Sequence, residues 1–202
     1  MDLILQTWGG LFYLSNKICF AFAEGKEESK KRQFKIFGWI IYILGVPAWV
    51  IILIIKHDWI AASIEFGGVP AMLFGLYTVF QNHEKPNRSF DLVASFFTYA
   101  FIIFGTGYSI YDYRGITSIS QILEIGVMIG FLLGSYLLAK NKIYGWLFFM
   151  LMNGSMGTLM MIQGKPILAI QQAVSFCFVV FGFISATKTT RRHNLQEKII
   201  PE

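Results

Sequence analysis

Glu65, Glu124, Asn153, Gln171, Gln172, Trp49 and Tyr99 stand inside long apolar runs, where chemistry-bearing side chains are unexpected. A carboxylate or amide in such surroundings is costly unless it meets a partner or a cavity, so each is a candidate ligand contact. Glu65 and Glu124 would offset a cation, while Asn153, Gln171 and Gln172 offer donors and acceptors to hydroxyl and amide groups. Trp49 and Tyr99, with Tyr42 and Tyr136, present aromatic faces on which a planar cationic ring would gain about 1–2 kcal/mol per desolvated contact. The plainer readings are that the glutamates reach the outer interface, the amides bond between helices and the rings pack against lipid or core. Lys17, beside Ser15 and Asn16, reads as snorkelling to the inner interface in preference to contacting a ligand.

These residues must be held by an all-α membrane protein. Of the 202 residues 55% are hydrophobic and only 14% charged, with mean hydropathy +0.55, beyond the roughly 45–50% apolar share of soluble domains. A helix needs about 20 apolar residues to cross the hydrocarbon core, and seven spans fit, at roughly 3–23, 36–56, 59–80, 90–111, 117–139, 143–163 and 166–186. The connections are short, and only Glu24–Phe34 has room for a separate amphipathic helix on the membrane surface. Lys26, Lys30, Lys31, Arg32, Lys35, Lys85, Arg88, Lys140, Lys142, Lys188, Arg191, Arg192 and Lys198 fall on one side, against Lys56, Arg114 and Lys165 on the other. The positive-inside rule then places the N-terminus outside and the C-terminal tail in the cytoplasm. The same distribution explains the net charge of +5 as a topology signal, so nucleic acid is not an expected partner, whereas the lipid bilayer is. Without a basic n-region, the first span reads as a retained helix.

Lys35-Ile36-Phe37-Gly38-Trp39 is echoed by Lys142-Ile143-Tyr144-Gly145-Trp146. The echo continues through Leu44 and Leu151, Ala62 and Ala169, Glu65 and Gln172, and Phe74-Gly75 and Phe181-Gly182. Spans two and three thus repeat as six and seven, with one and five corresponding more loosely. This gives a parallel 3+1+3 plan: a first three-helix repeat over 1–81, a linker helix over 90–112, a second repeat over 117–187 and a tail over 188–202. Gly45 with Pro47, Gly67-Gly68 with Pro70, and Gly154 with Gly157 are expected kinks or close contacts.

Enzyme chemistry is not expected: there is no phosphate-cradling loop, nucleophile elbow or metal-spaced cluster, and His57, His83 and His193 lie in loops or the tail. No cofactor or metal is called for, and Cys19 and Cys177, within apolar spans, read as small core residues. A retinal protein is disfavoured because Lys165 and Lys188 stand only at the ends of the last span.

Glu124, Gly126, Gly130, Ser135-Tyr136-Leu137, Ala139-Lys140, Ile143, Trp146 and the mid-helix Asn153 make the chain similar to the PnuC family of bacterial vitamin transporters. The 3+1+3 plan also resembles that family and, more distantly, the SWEET sugar transporters. Leu147 stands where a proline commonly follows the tryptophan, and the tryptophan-to-asparagine spacing is one residue longer. The absence of a Pro-Gln dipeptide argues against the PQ-loop branch. The resemblance implies uptake across the bacterial inner membrane by facilitated diffusion, trapped by a separate cytoplasmic kinase, with nicotinamide riboside as the leading substrate. Thiamine or riboflavin are the alternatives within the family, and a seven-helix ligand sensor that does not transport is the alternative outside it. Assembly into a homo-oligomer is compatible with all of these.

Overall fold

Lipid tails are as apolar as leucine, so helices in a bilayer associate through van der Waals contact, and small residues set how closely they approach. That rule governs the architecture here. The computed structural model describes residues 2–81 and 87–199, with side chains for 4–81 and 87–192. His83 and Lys85, and most of the connection at 82–89, lie outside the described residues. The helices are α1 (Asp2–Ala23), α2 (Glu28–Ile55), α3 (Trp59–Gly67), α4 (Val69–Gln81), α5 (Arg88–Asp112), α6 (Ile119–Ala139), α7 (Tyr144–Ile162) and α8 (Pro166–Ile199). No strand occurs among the described residues.

Among the described residues, six helical segments are long and apolar enough to cross a membrane: α2, α3 with α4, α5, α6, α7 and the Pro166–Arg192 part of α8. The 22-residue α1 has sufficient length, but Gln6, Asn16 and Lys17 make it more polar. Neighbours follow a closed circuit, α1 against α2, α2 against α3 and α4, α4 against α6, α6 against α7, α7 against α8, and α8 back against α1. α5 stands outside this ring, packed on α3, α4 and α6.

Two glycine–tryptophan contacts fasten the ring. Trp39 of α2 lies flat against Gly75 of α4, and Trp146 of α7 against Gly182 of α8; a methyl group at either glycine would overlap the indole. Both rings are almost fully buried, at 2% and 1% exposure. Gly130 of α6 likewise brings that helix within backbone contact of α7, where a Cβ would stand 2.6 Å from the Met152 nitrogen. At each seam the missing side chain gives a ring or backbone the contacts that dispersion rewards.

The third span is broken, as its glycines and proline predict. Asp58 caps α3 by accepting from the Ala61 amide, and the segment turns at Gly68, whose Cβ position is occupied by the Phe131 ring at 2.6 Å. Pro70 falls in the first turn of α4, where an absent N–H costs no helical bond. By contrast, α2 runs unbroken through Pro47, and Gly45 instead receives the Tyr13 ring. Gly154 and Gly157 do not interrupt α7 either.

The connection at 24–34 does not form a separate surface helix. α2 begins at Glu28 and carries those residues as its own first turns, with Lys31 placed one turn after Glu28 and Arg32 donating to the Val79 and Phe80 carbonyls at the end of α4. The tail also continues helically, since α8 runs to Ile199. α5 is tied to α6 by Asp91, which accepts from the Tyr136 hydroxyl at 2.7 Å and the Lys140 amino group at 2.8 Å. Buried Gln121 secures the turn between them, donating to the Ser109 and Gly115 carbonyls and accepting from the Thr117 amide.

Candidate functional site

On α1 the residues Gly9, Gly10, Tyr13, Asn16, Lys17 and Phe20 fall at helical spacing on one stripe. The ring of helices turns that stripe inward. The Tyr13 hydroxyl donates to Glu65 Oε1 on α3, and its ring meets Tyr42 edge-on at 5.1 Å and Trp49 at 6.2 Å. Asn16 is fully buried and Lys17 only 2% exposed.

Lys17 therefore does not snorkel. Its amino group donates to the Tyr13 carbonyl at 3.3 Å and lies over the rings of Tyr13 and Phe149, 5.7 and 5.9 Å from their centroids. The side chain turns into the bundle because α1 presents this stripe to α2 and α8, leaving Ile4, Trp8 and Leu11 exposed on its other side. Tyr13 thus stands between a lysine and a glutamate that form no ion pair with each other among the described residues.

From the opposite side, α6 and α7 contribute Ser135, which shares a hydrogen bond of 3.1 Å with the Tyr42 hydroxyl, together with Phe149 and Asn153. Asn153 is 1% exposed; its Nδ2 donates to the Phe149 carbonyl of its own helix at 2.7 Å, and its Oδ1 has no partner among the described residues. Gln172 packs beside Gly157, one turn beyond Asn153, with its Oε1 buried and unpartnered. Gln171 turns the other way, its amide resting against Gly10 of α1 at 2.7 Å from the Cβ position. Both polar atoms of Asn16, the Trp49 Nε1 and the Ser175 hydroxyl are also buried without a hydrogen bond among the described residues. The Thr98 and Thr106 hydroxyls of α5, outside the ring, are likewise unpaired among the described residues; buried polar atoms are ordinarily paired, and each left unpaired costs about 1–3 kcal/mol.

Five of the seven residues singled out from sequence face this region: Glu65 and Trp49 meet around Tyr13, Asn153 reaches it through Phe149, and Gln171 and Gln172 flank it on α8. The other two lie elsewhere. Glu124 is exposed on the outer part of α6 near Asp58, and Tyr99 is 52% exposed on α5, stacked edge-on against Tyr136. Tyr99 stands apart because α5 packs outside the ring, and Glu124 because its side chain lies on an exposed face of α6. Among the described residues Asn153 makes its side-chain hydrogen bond to its own helix and not across helices as structural glue would. Tyr13, Asn16 and Lys17 were the residues to be found, and their signal was the shared stripe with Gly9 and Gly10.

Beyond Trp39 and Trp146 the helix ends open into a cavity of about 350 Å3, bordered by Lys31, Arg32, Lys35 and Lys142. The two indoles and Phe20 also line it, with the Phe20 ring 4.8 Å from that of Trp39. No family model matches this chain, and no curated protein or solved structure matches it.

Proposed function

We propose that the protein is a membrane transporter for a small nucleoside-like vitamin, with nicotinamide riboside as the leading substrate ahead of thiamine and riboflavin. The observation that carries this reading is that Asn16, Trp49, Asn153, Gln172 and Ser175, contributed by four helices of the ring, each bury a polar atom that has no hydrogen-bond partner among the described residues. Hydrogen-bonding capacity left open between helices suits a polar solute that comes and goes, because the solute supplies what the protein withholds. Asn153 and Gln172 would bond hydroxyl and amide groups, Glu65 would offset a cationic ring, and Trp49 and Tyr42 would provide its stacking faces.

The order of helix contacts supports a parallel pair of three-helix halves. The pairing of α1 with α2 answers that of α6 with α7, α2 with α3 and α4 answers α7 with α8, and α4 with α6 answers α8 with α1. The Trp39–Gly75 and Trp146–Gly182 contacts fall at the same offset. Rocking of the halves about the α4–α6 and α8–α1 seams would expose the interior to either side in turn. The end with more basic residues is cytoplasmic on this reading, in a bacterial inner membrane, and a cytoplasmic kinase would trap the vitamin after facilitated diffusion. The test is calorimetric titration of the purified protein with nicotinamide riboside, thiamine and riboflavin. Saturable binding of one vitamin, weakened about tenfold or more by Asn153→Ala, is expected; binding of none would overturn the proposal.

A further inference from the structure

The cavity at the basic end has chemistry that a cationic or neutral vitamin does not explain. Lys31, Arg32, Lys35 and Lys142 border it, against the carboxylates Glu24 and Glu28. Glu28 hardly opposes them, since its side chain is 84% exposed and meets Lys31 only at 3.6 Å. Glu24 sits deeper, 3.4 Å from Lys35, with both side chains mostly covered. Arg32 spends two N–H groups on the Val79 and Phe80 carbonyls, and neither it nor Lys142 has an acidic partner among the described residues. Positive charge concentrated in a partly enclosed, low-dielectric recess attracts an anion far more strongly than the same charges on an open surface.

We propose that this cavity is a binding site for a phosphate group, held between Lys35 and Lys142 with Arg32 at its side. Phosphate matches the recess in two respects: it carries enough negative charge to balance the surplus of cations, and its several acceptor oxygens can engage ammonium and guanidinium donors at once. The two lysines come from different parts of the chain, Lys35 from α2 and Lys142 from the connection between α6 and α7. A bridge already spans that distance, because the Lys35 amino group donates to Asn141 Oδ1 at 3.0 Å. A phosphate drawn to both lysines would reinforce this bridge and hold Trp39 and Trp146 closed beneath it. That last consequence rests on the transport reading; the binding itself does not.

The phosphate has two sources, free in water or on an anionic lipid headgroup, and two arms of one experiment separate them. In the first, full-length protein in neutral detergent is titrated with inorganic phosphate at constant ionic strength and followed by 31P line broadening. In the second, the titration is repeated in phosphatidylcholine nanodiscs with and without phosphatidylglycerol. Saturable binding that weakens at least tenfold in the Lys35→Gln, Lys142→Gln double variant, and is unchanged in Lys165→Gln, is the expected result. Competition by phosphatidylglycerol would identify the headgroup as the occupant, and its absence would identify free phosphate. Should the double variant not fold, Lys142→Gln alone, exposed and unpaired, is expected to weaken binding at least threefold. No saturable binding in either arm, or equal binding by wild type and the lysine variants, overturns the proposal. Vitamin binding plays no part in the assay, so failure here and failure of the transport reading are distinguishable.

Discussion

Tyr13 is the side chain through which the interior is wired: its hydroxyl serves Glu65, and its carbonyl and ring hold the Lys17 amino group. Tyr13→Phe deletes the hydroxyl and leaves the Glu65 oxygen without that donor, so the melting temperature in detergent is expected to fall by the equivalent of about 1–3 kcal/mol. Asn153→Ala should behave oppositely. Its one bond goes to a carbonyl of its own helix and its oxygen is unpartnered, so stability should change by less than about 1 kcal/mol while vitamin affinity drops about tenfold, or about 1.4 kcal/mol. Glu65, Trp49, Asn153, Gln171 and Gln172 were legible in the sequence as candidates because such side chains in apolar spans advertise themselves. The direction of Lys17 was not legible, since snorkelling and burial differ only in which neighbours cover its stripe. Glu124 and Tyr99 were grouped with the site for the same reason: position along a helix gives depth, and only packing gives azimuth.

At the scale of the helix, the glycines beneath the tryptophans are the sharpest test. Gly75→Ala and Gly182→Ala should each destabilise by about 1–3 kcal/mol in thermal unfolding, because a methyl group overlaps a ring that has nowhere to move. Gly107→Ala is the control, with nothing near its Cβ position and a helix propensity gain of up to about 1 kcal/mol. The Asp91–Lys140 bridge carries much less weight. Both side chains are about a quarter exposed, so Asp91→Asn should cost no more than about 1 kcal/mol. The hydrogen bond to Asp91 raises the Lys140 amino group above its ordinary value, so the lysine's contribution to the bridge is complete at neutral pH and, on the alkaline side, is lost as pH climbs through that raised value. The Gly-Trp echo and the Gly68 break were both legible because small residues and proline act locally. Of the two outcomes expected at Gly45 and Pro47, the close contact is present, with the Tyr13 ring against Gly45, and α2 continues as one helix through the proline.

For the molecule as a whole, the apolar spans and short connections made the helical bundle readable, while the position of α5 outside the ring was not, because its composition matches that of its neighbours. The proposed orientation makes its own prediction. In a background lacking Cys19 and Cys177, Lys142→Cys should be labelled by an impermeant thiol reagent only after the cytoplasmic face is opened, and Lys165→Cys in intact cells. The central claim is that the interior passes a vitamin through the bundle, and uptake of radiolabelled nicotinamide riboside into proteoliposomes tests it most directly. Saturable, gradient-driven entry that falls at least tenfold with Asn153→Ala is predicted. Binding without entry would instead make the protein a sensor and contradict the account.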